Sequence, residues 1–319
     1  MKKLKTNTQT KQRLVTMLIL VLIMVILSCI SNKYLTVNNL INIVRQESTL
    51  IIIACAATML MISGGMDLSP AGVIALTSVV FAKLCVSGIS IPLAALLSLF
   101  VGIAAGAFSG LLVVMANVPP MIATLGTWYI TKGLAYAISN SYAIVQGLPA
   151  DFGWVNRYIG PFPVMVVIAV AVFAVFYILL NRTRLGKYAY AIGGNSETAR
   201  LSGIKVNLVR CGLYILTALM SSFVGILMSS RINSGDPNLS TSGIEFEIIV
   251  AIILGGTSLL GGQGSLIGTL IGALILGNLS NGMNLLGIGT VYQFIVEGAV
   301  LVVAVVLDLT LKGNYDTMR

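Results

Sequence analysis

The sequence predicts an all-α, polytopic membrane protein of about ten transmembrane helices, and three observations predict it. Of its 319 residues, 57% are hydrophobic and 9% are charged, against roughly 25% charged in a soluble domain. Mean hydropathy is +0.98, so the solvent of this chain is lipid. Apolar runs of the roughly 17–25 residues needed to cross a bilayer recur along its whole length. Histidine is absent, which excludes imidazole bases, histidine metal sites and Ser-His-Asp or Cys-His pairs.

The first run, 14–31, follows a basic stretch of Lys2, Lys3, Lys5, Lys11 and Arg13. No small-x-small cleavage site follows it, so it reads as a retained span and not as a signal peptide. The second, 47–64, ends at the string GGMDLSP, and Pro70 opens the third, 70–88. A helix that stops at Gly64–Gly65 and restarts at Pro70 leaves free backbone groups at membrane depth. Such a break is tolerated only where protein or a water-filled cavity covers it. This string is therefore the first place to look for function: Asp67 or Ser69 either caps the restarted helix or touches substrate.

The fourth span, 91–115, carries Gly102, Gly106 and Gly110 at four-residue spacing, a stripe that lets two helices approach closely. The fifth, 119–139, is opened by Pro119–Pro120 and holds Thr124 and the pair Trp128–Tyr129. An indole in mid-span serves either as core or as an apolar platform for a sugar ring. A Gly-, Pro- and aromatic-rich segment, 139–161, leads to the sixth span, 162–180. Span seven is 207–231 and span eight 246–261, with Glu245 and Glu247 at its start. Span nine, 265–284, continues a second glycine stripe (Gly264, Gly268, Gly272) and carries Asn278 and Asn281 on one face. Those amides either bond a polyol in transit or join helices. The last span, 291–311, contains Glu297. An acid at mid-span costs about 2.5–3.5 kcal/mol. Glu47, Glu245, Glu247 and Glu297 are thus either functional or paired within the bundle, with Lys83 or Lys132 as partners.

The net charge of +9 is expected to be topological and not a sign of nucleic-acid binding. With the N-terminus inside, 13 basic residues fall on inside segments and 4 outside, which orients both termini to the cytoplasm with an even number of spans. The longest inside segment is 181–206. Cys29, Cys55, Cys85 and Cys211 lie in or beside apolar runs without a C-x-x-C and read as small buried residues. The nearest approach to a phosphate-binding loop, GGTSLLGGQGS at 255–265, lacks its lysine, so any ATP hydrolysis belongs to another chain. Residues 1–319 read as one transmembrane domain.

Four strings carry a likeness to a known family: GGMDLSPAGVIAL (64–76), VPPMIATLGTW (118–128), RTRLGKYAYAIGGNSETARLSGI (182–204) and AIILGGTSLLGGQGSLIGTLIGALILGNLSNGMNLLG (251–287). From about residue 14 to 311 the chain resembles the permease subunits of ribose-type monosaccharide ABC importers. Met121, Glu247, Gln263 and Glu297 depart from that pattern. The resemblance implies an ABC importer permease fold in the bacterial inner membrane. It implies a second permease copy or paralogue, a cytoplasmic ATPase that holds ATP-Mg, and an external sugar-binding protein. This chain itself would hold no cofactor, catalyse no reaction and bind no metal. The resemblance also places a coupling helix for the ATPase in 181–206. There Gly193, Asn195, Glu197, Ala199, Arg200 and Gly203 are the candidate docking residues, with Ser196 as N-cap and Gly203 as stop. The candidate substrate path is Asp67, Ser69, Thr124, Trp128, Glu245, Glu247, Asn278 and Asn281. The sequence leaves open an ABC permease for nucleosides or autoinducer-2. An ion-coupled secondary transporter using Glu297 or Glu47, or a passive channel, also remains open.

Overall fold

The structure, a computed structural model, describes residues 2–239 and 243–316, and its regular elements are almost all helical. In chain order the α-helices are α1 (Lys2–Ile30), α2 (Val37–Ile62), α3 (Pro70–Val86), α4 (Ile91–Val114), α5 (Pro120–Ser139) and α6 (Val164–Arg182). They continue with α7 (Arg184–Gly194), α8 (Ser196–Leu201), α9 (Val206–Ile232), α10 (Ile244–Leu254), α11 (Leu266–Leu285) and α12 (Thr290–Asp316). A short antiparallel pair, β1 (Tyr158–Ile159) and β2 (Phe162–Pro163), lies in the α5–α6 connection. Among the described residues five helices (α2, α4, α6, α9, α11) are long and apolar enough to cross a membrane. Three shorter apolar stretches, Leu14–Ile30, Pro70–Val86 and Val291–Val303, accompany them.

Helix α2 is the centre of the bundle. Its residues from Ser48 to Ile62 are all buried, against α9, α11, α6 and α10. It begins at Val37, ten residues before the expected start of the span, because Thr36 caps it by accepting from the Asn39 amide. Glu47 therefore lies within the helix and not at its mouth. At 26 residues α2 is about 39 Å long, more than the roughly 30 Å of a hydrocarbon core.

The first glycine stripe packs as expected, and the second does so at Gly268 and Gly272, whereas Gly264 lies before α11 and meets the side chains of Thr257 and Ile62. A side chain on Gly102, Gly106 or Gly110 would meet the α9 backbone at Ala218–Leu219, Tyr214–Ile215 or Cys211. Those on Gly268 and Gly272 would strike the Gly255 and Ala251 carbonyls of α10. Two helices thus contact backbone to backbone in each case.

The expected eighth span is overturned in length. Helix α10 stops at Leu254, not 261, because Gly255 ends it and Gly256 turns into the left-handed region (φ +81°). Its 11 residues reach only about 16 Å. The rest, 255–265, is an irregular glycine-rich turn into α11. All four cysteines are free thiols, with Cys55 and Cys85 buried.

Candidate functional site

The α2–α3 break closes tightly on itself. At its start the Ser63 amide donates to the Leu60 and Met59 carbonyls (3.0 and 3.2 Å), Gly64 to Met61 (2.9 Å) and Gly65 back to Leu60 (3.0 Å). Gly64 takes the left-handed conformation this turn needs (φ +80°). Further on, Asp67 Oδ1 accepts from the Ser69 amide at 2.8 Å, a side-chain turn that delivers the chain to Pro70. Neither residue caps α3 in the expected way. Ser69 holds the cap position without a side-chain cap bond, and Asp67 bonds the amide of that cap residue and not one in the first turn. Both are buried, and Asp67 Oδ2 and Ser69 Oγ have no hydrogen-bond partner. Burial pushes the Asp67 carboxyl up.

Helix α9 supports this break from the side. Arg210 Nη2 donates to the Ser63 carbonyl at 3.3 Å. The fully buried Tyr214, one turn further along, puts its hydroxyl 3.3 Å from where a Gly65 side chain would begin. Sequence reasoning counted Arg210 only as a topological charge and passed over Tyr214. The available signal was a guanidinium four residues into an otherwise apolar run, followed by a tyrosine at helical spacing.

Helix α7 packs under the same break, with α8 against α7 and α9. The Gly262 amide donates to the Ile62 carbonyl at 2.8 Å, and any side chain on Gly193 would strike both groups. The Tyr190 hydroxyl donates to the Gly264 carbonyl at 2.8 Å. Three segments distant in sequence, around 62, 193 and 262, therefore meet backbone to backbone. Beyond them Asn195, not Ser196, is the N-cap of α8: its side chain accepts from the Thr198 amide at 2.8 Å. Gly203 ends α8 as expected, at φ +83°, with its amide on the Arg200 carbonyl. Ala199 faces inward onto Ile192 and Val206. Glu197 and Arg200 face outward, 3.7 Å apart, beside Leu201, which is 81% exposed.

The remaining path candidates separate into two groups. Trp128 shares the neighbourhood of the break, since Gly72 in the first turn of α3 has the Trp128 backbone against it. Its ring meets Tyr129 edge-on at 4.5 Å, and its indole N–H is buried without a partner. Lys132, one turn on, lies 5.4 Å over the Tyr136 ring, and its ammonium makes no hydrogen bond. Glu245 and Glu247 lie in the first turn of α10, where the helix dipole favours carboxylates. Glu245 Oε2 is buried and unpartnered.

The second group hydrogen-bonds within the protein, Thr124 inside its own helix and the two amides between elements. The Thr124 hydroxyl donates to the Pro120 carbonyl of its own helix at 2.8 Å. Asn278 accepts from the buried Tyr34 hydroxyl and donates to the Leu274 carbonyl. Asn281 and Asn39 exchange two hydrogen bonds of 2.9 Å. The expected pairing of mid-span acids with lysine is not formed. Among the described residues the ion pairs are Arg157–Asp151 and Arg200–Glu197, both exposed. Lys83 donates to the Ile138 carbonyl, and Glu297 accepts from Ser280 at 3.4 Å.

An apolar helical bundle built around a broken central hairpin, with a polar two-helix segment stacked on the break, defines a polytopic membrane transport permease. No group of His, Cys, Asp and Glu able to hold a metal occurs among the described residues. The chain belongs to the permease family described as "Branched-chain amino acid transport system / permease component", which matches residues 39–305. It is 39% identical over 298 residues to the ribose import permease protein of Escherichia coli K12, covering 92% of each chain. It is 38% identical over 300 residues to the ribose import permease protein of Bacillus subtilis, covering 93% of this chain and 92% of that one. Similarity extends to the D-allose transport system permease protein of Escherichia coli K12, at 36% over 298 residues (92% and 90%). No solved structure matches the chain.

Proposed function

We propose that this chain is the membrane subunit of a sugar ABC importer and forms the path for a ribose-type monosaccharide. The observation that carries the proposal is chain-long similarity to ribose and allose permeases. The outward face of α8 supports it, because Glu197, Arg200 and Leu201 are exposed there among the described residues. That exposed helix is the surface a cytoplasmic ATPase docks on, and 181–206 is the coupling segment.

In this reading α1–α6, α9, α11 and α12 are nine spans of a single transmembrane domain in the bacterial inner membrane, the short α10 together with the glycine-rich segment 255–265 makes the tenth crossing, and both termini are cytoplasmic. ATP-Mg is held by the partner ATPase, and this chain carries no cofactor. A second permease copy completes the path, and an external binding protein delivers the sugar. The path runs past Glu245 and Glu247 at the outer end and past Trp128, Asp67 and Ser69 toward the inner one. Thr124, Asn278 and Asn281 shape it by fixing helices. Transport is alternating access: ATP-driven closure of the ATPase moves α7 and α8, the break shifts with them, and the path opens to the other side. No bond of the sugar is made or broken.

The test is to purify the tagged chain in mild detergent and identify what accompanies it. A P-loop ATPase in about equal amount is the expected result. A chain that comes out alone, with uptake driven by an ion gradient and unaffected by ATP depletion, overturns the reading.

A further inference from the structure

Two of the contacts on the break come from one continuous stretch of chain, beside those made by the 260–262 turn and the Trp128 backbone. Helix α7 reaches it at Ile62 through Gly193, and α9 reaches it through Arg210 and Tyr214. Between these contacts lies α8, the exposed helix. Arg210 and Tyr214 are four residues apart and so project from one face of α9. Together they hold three consecutive residues. Arg210 donates to the Ser63 carbonyl, and its Nη2 stands 3.8 Å from where a Gly64 side chain would begin. The Tyr214 hydroxyl stands 3.3 Å from where a Gly65 side chain would begin.

The polar groups of this junction are only half used. Arg210 Nε, Tyr214 OH, Asp67 Oδ2 and Ser69 Oγ are all buried without a well-formed hydrogen bond, although the Ser69 hydroxyl lies near the Asp67 carboxyl and the Tyr214 hydroxyl near the Met66 backbone. Each such omission is destabilising, and more so where the group is charged. Buried polar groups in proteins are nearly always satisfied. Four unsatisfied groups at a single joint, comprising two donors, a carboxylate oxygen and a hydroxyl, therefore call for a second arrangement in which the bonds are made. The complement is already present: a guanidinium and a phenol on α9, and a carboxylate on the break.

We propose that Arg210 and Tyr214 are positioning residues that carry the motion of α7–α8 into the break. In the arrangement described here Arg210 holds the Ser63 carbonyl. When α8 is displaced by its partner, the start of α9 moves with it, and Arg210 and Tyr214 transfer to the Asp67 carboxylate. The loop and the proline-headed α3 then shift as a unit. This gives the two-state element that coupling between distant sites requires. The inference rests on the transport reading above.

The test uses the complete transporter in proteoliposomes: this chain, its copurifying ATPase and the binding protein loaded with D-ribose. Tyr214→Phe removes only the hydroxyl, Arg210→Gln removes the charge, and Arg210→Lys keeps it. The readouts are ATPase copurification, ATP hydrolysis stimulated by the loaded binding protein, and labelled D-ribose taken up per ATP. The expected result is copurification and hydrolysis within twofold of the unaltered chain. Sugar per ATP falls at least tenfold in Tyr214→Phe and Arg210→Gln, with partial recovery in Arg210→Lys. An unchanged sugar-to-ATP ratio in Tyr214→Phe overturns the inference, as does a parallel fall of uptake and hydrolysis, because a merely structural role moves both together. Tyr214→Phe decides the matter if Arg210→Gln fails to assemble. If the unaltered chain binds no ATPase, or takes up sugar without ATP, the transport reading itself fails and this inference with it.

Discussion

Gly193 is the position where a single methyl group should do most damage. It sits at the crossing of α7 with the end of α2, and an added Cβ would collide with the Ile62 carbonyl oxygen and the Gly262 amide while standing 3.0 Å from the Ile62 carbonyl carbon. None of these is the flexible end of a side chain, so backbone must move. Relief separates the Gly262–Ile62 hydrogen bond, now 2.8 Å, in a buried place. Leaving its two groups unmade costs about 1–3 kcal/mol, and the overpacking itself about 1–3 kcal/mol. Gly193→Ala is therefore expected to destabilise by roughly 2–4 kcal/mol, since partial relaxation makes the two costs overlap. At about 2–4 °C per kcal/mol, that lowers the melting temperature of the detergent-purified protein by at least about 4 °C. The internal control is its neighbour. Gly194 has nothing within 4 Å of the same construction, so Gly194→Ala should leave the melting temperature within about 1 °C of the parent. The assay is fluorescence-detected size-exclusion chromatography after a heating series. Equal melting temperatures for the two variants would refute the backbone junction.

Other expectations follow from the same geometry. The double variant Glu197→Lys with Arg200→Glu should abolish uptake while insertion and monodispersity are retained, because both side chains are exposed and their mutual pair is worth under about 1 kcal/mol; normal uptake would count heavily against coupling through α8. Gly106→Leu should prevent stable folding, since the Ile215 and Tyr214 backbone of α9 occupies the space; recovery of a monodisperse protein would show that α4 and α9 pack differently. A double-mutant cycle of Asn39→Ala and Asn281→Ala should give a coupling of about 0.6–1.7 kcal/mol, the range for interhelical bonds in membranes, and none if the amides face the path alone. Glu297→Gln should leave ATP-driven uptake within about twofold, and a protonophore should not alter the result; complete loss would make this residue a proton carrier.

Most of the helices were legible because a long apolar run has few alternatives in lipid. The errors fall where polarity misleads. The first turns of α2 carry Asn38, Asn39 and Asn42, which look like loop but satisfy a helix opened by Thr36. Helix α10 ends early because two glycines stop it, although Leu259 and Leu260 beyond them prolong the apolar pattern. The start of α8 was misplaced by one residue: Asn and Ser are nearly equal as caps, and only geometry separates Asn195 from Ser196. At the candidate site, the importance of the GGMDLSP string was visible, but its supports were not. Arg210 reaches a carbonyl 147 positions away in sequence, and no local pattern announces such a contact. Nor could the pattern show that Asn278 engages Tyr34, which lies 244 residues earlier.

The meeting of Ile62, Gly193 and Gly262 has an evolutionary corollary. Its parts are a carbonyl, an amide and the bare face of a glycine, so nothing at the crossing depends on side-chain chemistry beyond the lack of one. Backbone is common to all sequences. A lineage that holds its glycines can therefore exchange the residues bordering the sugar route without retuning the machinery that moves it. Cargo preference and drive are thus separable inheritances in such a protein, and grafts made across this crossing should carry one without disturbing the other.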